Sequence, residues 1–307
     1  MRESFVIATR GSKLALWQAE YVADRLRQAH PDLEVTLLPI TTRGDTIQDK
    51  SLAAIGGKGL FVREVEAALL DGRAHLAVHS LKDMPAEQPE GLVIGVVPER
   101  EDPIDLLLSV RYDGLAALPA GARVGTSSLR RRAQLLALRP DLTVVDLRGN
   151  LDTRIARLDE GRFDAIVVAA AGLKRLGLTA PKIAPLAPPD FLPAAAQGAL
   201  GLEYRAHDKR TVAVTAFLDH RESHDAVTAE RAFLARLGGS CQVPIAVHAA
   251  VCDDCLSLDG LVAEVTGSRI FRDVILGPRG QAVELGQRLA ESVLAKGAGD
   301  VLAALAD

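Results

Sequence analysis

Short apolar runs alternate with amphipathic helical stretches over the first two hundred residues, and this alternation confines the chain to the α/β class. Phe5–Ala8 reads as a strand, and Ser12 caps a helix with Leu16, Ala19, Val22, Ala23 and Leu26 on one face. Val35–Ile40 is a second strand, followed by a polar, glycine-rich stretch from Thr41 to Gly59. A helix over Leu60–Leu70 stops at Gly72, and His75–His79 and Leu92–Val97 are further strands. A charged linker at Pro98–Pro103 precedes a second α/β unit. There a strand ends at Gly125, a helix opens at Thr126-Ser127-Ser128 and runs to about Leu138, and Thr143–Leu147, Asp152–Leu158 and Asp164–Ala170 read as strand, helix and strand. Elements alternating in this way predict parallel sheets.

Five prolines between Pro181 and Pro193 mark a second linker, and Leu200–Glu203 reads as a strand returning to the first domain. From Arg221 the pattern changes to a helix (Asp225–Leu237), three strand-like runs (Ile245–Val251, Leu256–Val265, Ile270–Leu276) and a closing helix. The predicted architecture is two α/β lobes around a hinged cleft plus a smaller α+β C-terminal domain. Its boundaries are 1–98 plus 199–217, 104–193 and 221–307. In open α/β sheets, ligands sit at the carboxyl ends of the strands, so the loops there deserve the closest reading.

Charge narrows the ligand class. The 307 residues carry a net charge of −4, which argues against a general polyanion binder, and 4% aromatic content argues against base stacking. The charge is uneven. Residues 123–157 hold eight arginines against three aspartates, a local +5, whereas residues 221–307 balance at −4. The basic stretch is where an anionic ligand belongs. Three cysteines without framework spacing read as reduced thiols in a cytosolic setting. The polar N-terminus does not read as a signal peptide, and no apolar run is long enough for a membrane span.

Five loops carry the chemistry. Gly238-Gly239-Ser240-Cys241-Gln242-Val243-Pro244 places one cysteine in a glycine-rich turn, where it is either an exposed nucleophile or a small buried thiol in a connector. Asp83, after Lys82 in a polar loop stopped by Pro85, is either a solvated partner of that lysine or a cleft carboxylate that accepts N–H groups and stabilises positive charge. Thr126-Ser127-Ser128 offers hydroxyl and backbone donors at a helix start, with Arg130 and Arg131 in the first turn, where cations oppose the helix dipole. These arginines are either ligand-binding or simply solvated. Arg148, before Gly149-Asn150, and Arg10, before Gly11-Ser12, stand at strand ends, and Arg154 follows in the next helix. Guanidinium binds carboxylates bidentately, so a small ligand with several carboxylates explains the count. Gly56-Gly57-Lys58-Gly59 lacks the spacing of a nucleotide phosphate loop and reads as a mobile loop with one cation. No metal site is expected. Cys252-Asp253-Asp254-Cys255 has no second cysteine pair and reads as a strand-to-strand turn, and the seven histidines are not read as a zinc site.

Together these motifs resemble one family, porphobilinogen deaminase (hydroxymethylbilane synthase). The resemblance runs through Ala8-Thr9-Arg10-Gly11-Ser12, Leu14 to Gln18, Thr42-Arg43-Gly44-Asp45, Gly56 to Phe61 and His79-Ser80-Leu81-Lys82-Asp83. It continues through Gly125 to Arg131, Leu147-Arg148-Gly149-Asn150, Gln197-Gly198-Ala199 and Gly239 to Pro244. It implies head-to-tail polymerisation of four porphobilinogen molecules into linear hydroxymethylbilane with loss of four ammonia, in tetrapyrrole synthesis. It also implies a dipyrromethane cofactor bound through a thioether, for which Cys241 matches the family cysteine. Asp83 matches the catalytic aspartate, which holds pyrrole N–H groups and stabilises cationic azafulvene-like species. Ser12, Lys82, Thr126, Ser128, Arg130, Arg131 and Arg148 match cofactor-binding positions. Arg10, Arg148, Arg154, Lys58 and Gln197 match substrate-binding ones. The implied fold has two lobes like periplasmic binding proteins. The chain departs from the family at Ala54, where a second loop lysine is common, and at Ala196, where glycine is common.

Two other classes compete. A two-lobed carrier of an anionic small molecule gives Cys241 and Asp83 no task, and a ligand-sensing regulator lacks a helix-turn-helix segment or basic tail. The expectation is therefore an enzyme with no nucleic-acid or membrane partner, and the resemblance implies a monomer.

Overall fold

The computed structural model describes residues 3–42, 62–239 and 243–304. In chain order the elements are β1 (Glu3–Arg10), α1 (Lys13–Ala29), β2 (Leu33–Ile40), α2 (Arg63–Leu70), β3 (Leu76–Ser80), β4 (Leu92–Val96), β5 (Asp105–Ser109) and β6 (Arg123–Gly125). Then come α3 (Leu129–Leu138), β7 (Thr143–Val145), α4 (Leu151–Asp159), β8 (Ala165–Ala169), α5 (Ala170–Arg175), β9 (Lys182–Leu186) and β10 (Leu200–Arg205). The chain ends with α6 (Lys209–Thr215), α7 (Arg221–Arg236), β11 (Ile245–Cys252), β12 (Cys255–Ala263), β13 (Ile270–Pro278), α8 (Ala282–Val293) and α9 (Gly299–Ala304). They form two compact units, 1–101 with 199–224, and 102–198 with 225–307.

The first unit is built on a five-stranded sheet, order β2-β1-β3-β10-β4. β1, β2 and β3 are parallel, and β10 enters antiparallel to both β3 and β4. The returning strand expected at Leu200 is therefore real. The expectation of purely parallel sheets is not met, because a strand arriving from the opposite end of the sheet must run antiparallel. α1 starts where expected, and four of the five residues of its predicted face are buried: Ala19, Val22, Ala23 and Leu26 pack with Phe5, Ile7, Leu76 and Val78, whereas Leu16 is only half-buried.

The second unit holds a sheet of matching layout, β7-β6-β8-β5-β9. Here β5 is the antiparallel strand, pairing β8 and β9. Sequence reading places no strand at Asp105–Ser109 or Lys182–Leu186. The first is a short apolar run beside a charged linker, and the second hides within the proline-rich stretch as an edge strand, where a missing N–H is tolerated. The same unit contains the antiparallel sheet β11-β12-β13, whose core forms from Phe233 on α7, Val247, Leu256 and Leu258 on the sheet, and Leu285 and Leu289 on α8.

One side chain ties this core to the segment before β10. Glu230 on α7 is fully buried; its Oε2 accepts from the Ala196 N–H at 2.6 Å and its Oε1 from the Ala249 N–H at 2.8 Å. Ala196 is held at φ +57°, in the left-handed region where a Cβ costs about 1–2 kcal/mol. Replacing Ala196 with glycine relieves that cost, at the expense of about 0.4–1 kcal/mol of chain entropy. We expect Ala196→Gly to stabilise the protein by ~0.5–1 kcal/mol, read as a rise in the denaturation midpoint at unchanged m-value.

Candidate active site

In the first unit, two strand ends and one helix start converge. Arg10 closes β1, and Ser12 caps α1, its hydroxyl accepting from the Ala15 N–H at 3.3 Å. β3 delivers His79 and Ser80, after which a single 3₁₀ turn, Leu81–Asp83, places Asp83. The turn is pinned by the Leu81 N–H donating to the Ala199 carbonyl at 3.1 Å. Gly201 on β10 makes this packing possible, since a Cβ there would lie 2.2 Å from Leu81 Cδ2. Arg10, Ser12, Gln18, His79, Ser80 and Asp83 border a depression of about 430 Å³. Gln18 Nε2 donates to Ser80 Oγ at 2.8 Å, and the buried His79 Nε2 lies 3.0 Å from Glu203 Oε2. Asp83 is exposed and Lys82 half-buried. An exposed carboxylate beside a guanidinium in one hollow can accept N–H donors and balance a nearby cation, while the guanidinium takes a carboxylate.

In the second unit, the N-terminus of α3 is the corresponding feature. Ser128 caps it, Oγ accepting from the Arg131 N–H at 3.4 Å; Thr126 Oγ1 accepts from the Ser128 N–H at 3.2 Å; and Ser127 Oγ donates to the Leu147 carbonyl at 3.1 Å. Arg130 and Arg131 are not solvated: they are 5% and 6% exposed and close on one carboxylate, Asp105, at the start of β5. Arg130 Nη1 donates to Asp105 Oδ2 at 2.7 Å, and Arg131 donates to Oδ1 through Nε at 3.1 Å and Nη2 at 2.6 Å. Gln197 Nε2 adds a bond to Oδ1 at 2.9 Å and one to the Pro103 carbonyl at 2.7 Å. Burial alone would raise the Asp105 carboxyl, but the charges and hydrogen bonds of the two arginines outweigh it and hold the group far below the ordinary carboxylate range. Burial pulls Arg130 below its ordinary value, opposed by Asp105 and reinforced by Arg131. Two guanidiniums around one carboxylate leave one excess positive charge at a helix N-terminus, which suits a carboxylate ligand.

Arg148 and Arg154 meet at the next turn. Gly149 has φ +107°, and Arg154 Nε donates to the Gly149 carbonyl at 2.8 Å, folding the Arg154 side chain back toward the Arg148-Gly149 segment. Both are half-buried. Cys241 and Lys58 lie outside the described residues, as do Ala54 and the Gly56–Gly59 loop.

Sequence reasoning missed Asp105 and Glu203. Asp105 offered one signal, an acid opening the apolar run Leu106-Leu107-Leu108; Glu203 closes a similar run on β10. Two histidine pairs stand four residues apart, a metal-ligand spacing that the sequence reading passed over. His75 Nδ1 accepts from the Val6 N–H at 3.0 Å and His79 bonds Glu203, while His220 and His224 bond Ser223 and Asp219 beside the start of α7. Among the described residues no group of three or more His, Cys, Asp or Glu is placed to hold a metal. Cys252 and Cys255 face each other across a two-residue turn with Asp253 at φ +52°.

The folded Asp105 carboxyl titrates below its unfolded value, so its stabilisation is complete above about pH 4 and is lost only as pH falls through the lower folded value. Asp105→Asn leaves two buried arginines without their counter-charge. We expect a loss of about 3–5 kcal/mol at neutral pH, measured by urea denaturation.

Residues 5–213 match the family model described as "Porphobilinogen deaminase, dipyromethane cofactor binding domain", and residues 225–295 match "Porphobilinogen deaminase, C-terminal domain". The chain is 58% identical over 306 residues to porphobilinogen deaminase of Nitratidesulfovibrio vulgaris (strain Miyazaki F), covering 98% of this chain and 96% of that protein. It is 50% identical over 304 residues to that of Lawsonia intracellularis, covering 99% and 98%. Among solved structures it is similar to the reduced OxyR regulatory domain of Pseudomonas aeruginosa, with TM-score 0.42 and 12% identity over 70% of this chain and 96% of that one. No helix among the described residues is long and apolar enough to cross a membrane.

Proposed function

The chain belongs to the porphobilinogen deaminase family, and we propose that its condensation of porphobilinogen into linear hydroxymethylbilane is primed on Cys241 and carried by Asp83. The observation that supports this reading most is Asp83 itself. It is an exposed carboxylate on a pinned 3₁₀ turn, sharing one hollow with Arg10 and Ser12.

The residues fit the dipyrromethane cofactor of the family. That group bears several carboxylates and two pyrrole N–H donors, and this chain offers an acceptor at Asp83 and cationic positions at Arg130, Arg131 and Arg148. Thr126 and Ser128 supply polar contacts at the start of α3, and Ser12 and Lys82 supply them in the first unit. When bound, dipyrromethane supplies the free pyrrole α-carbon from which the chain grows. Cys241 holds it as a thioether, for which a cysteine thiolate is a competent nucleophile.

Asp83 accepts pyrrole N–H groups and offsets positive charge on the ring that loses ammonia. Arg10, Arg148, Arg154 and Lys58 take the acetate and propionate groups of porphobilinogen, fixing its register before reaction. Gln197 serves substrate binding indirectly, by holding Asp105 and so the two arginines. A cytoplasmic monomer completes the reading.

Incubation of the loaded protein with porphobilinogen is expected to release one ammonia per porphobilinogen consumed and four per tetrapyrrole formed. Asp83→Ala is expected to keep its bound pyrroles while turnover falls about 10²-fold or more. Normal turnover in that variant would remove Asp83 from the mechanism.

A further inference from the structure

Behind the hollow that holds Asp83 lies a buried group of ionisable side chains to which the reading above gives no task. His79 lines the hollow, and its Nε2 is 3.0 Å from Glu203 Oε2. Glu203 is wholly buried, and its second oxygen, Oε1, has no hydrogen-bond partner among the described residues. Glu66, on α2, is also buried and close enough to feel both. The groups facing His79 are thus Glu203 from β10, Glu66 from α2 with Arg63 on the same helix, and Arg10 and Asp83 around the hollow.

Two buried carboxylates and one imidazole cannot comfortably be ionised, ionised and neutral together, because two like charges would share a low-dielectric site. Burial raises Glu66, the Glu203 charge raises it further, and His79 and Arg63 work against both. His79, bonded to Glu203, is the member of this set that reaches the hollow.

The reaction needs such a group. At each coupling the aminomethyl C–N bond breaks with its electron pair going to nitrogen, and a C–C bond forms from the methylene to the α-carbon of the next pyrrole. That α-carbon then loses its proton, and the C–H pair restores the ring. One proton leaves carbon and one ammonium departs, so the balance closes if the same proton is carried from one to the other. We propose that His79, backed by Glu203 and Glu66, is a proton-handling residue of this hollow, taking the α-proton at each coupling and returning it to the departing ammonia. The proposal rests on the reading of the Asp83 hollow as the coupling site.

The test compares parent, His79→Gln and Glu203→Gln holoenzymes, each with its pyrrole adduct verified by mass. Glu203→Gln keeps the shape and a hydrogen bond to His79 while removing the charge, so it remains informative if His79→Gln folds poorly. Expected are a fall in kcat of about tenfold or more with KM within about twofold, and an altered pH profile. Porphobilinogen deuterated at its free α-carbon should show a larger isotope effect on kcat in both variants than in the parent. Independently of activity, the ¹⁵N shifts of the His79 ring should differ between Glu203→Gln and the parent, reporting the loss of the carboxylate partner. Turnover within twofold, with unchanged pH profile and isotope effect, would overturn the proposal. If Asp83→Ala also turns over normally, the hollow itself is not the coupling site; if only Asp83→Ala fails, His79 alone is refuted.

Discussion

One carboxylate, Asp105, organises the charged heart of the second unit. It is 1% exposed and receives hydrogen bonds from Arg130, Arg131 and Gln197, residues that come from the first turn of α3 and the segment before β10. Burying one acid with two arginines is costly unless every group finds its partner. Here Arg130 Nη1 also donates to the Leu192 carbonyl and Arg131 Nη1 to the Val167 carbonyl, both at under 3 Å. The arrangement fixes the start of α3 against β5 and β8 and leaves one positive charge in excess at that helix start. A scaffold built this way holds its cations in place before any carboxylate ligand arrives, so less conformational entropy is lost on binding.

The first unit solves a different problem. Its sheet accepts a strand from far along the chain, β10, antiparallel between β3 and β4. That strand brings Gly201 under Leu81, which seats the 3₁₀ turn bearing Asp83, and it brings Glu203 to His79. The position of the exposed carboxylate is therefore set by residues about 120 positions away. This long-range pairing explains why a short loop can hold a functional side chain in one orientation.

Much of this was legible in the sequence because the relevant signals are local. The Ser12 cap and the apolar face of α1, the Ser128 cap of α3 and the turn between Cys252 and Cys255 each follow from a few neighbouring residues. The motifs spread along the chain, those around Arg10, Asp83 and Arg148 among them, together carried the resemblance to the family. What escaped was set by tertiary partners. Whether Arg130 and Arg131 are solvated or buried depends on Asp105, some 25 residues upstream, and no local pattern reveals that contact. The strand β5 and the antiparallel direction of β10 escaped for the same reason, since strand direction depends on where the chain comes from. β9 was hidden by prolines that an edge strand tolerates.

The central claim, that this chain grows a pyrrole chain from Cys241, is most directly tested by the intact mass of the denatured protein, with the modified peptide mapped. The account predicts an adduct of two pyrrole units, located on the peptide containing Cys241. An unmodified mass that persists after incubation with porphobilinogen, or an adduct on Cys252 or Cys255 instead, would contradict it.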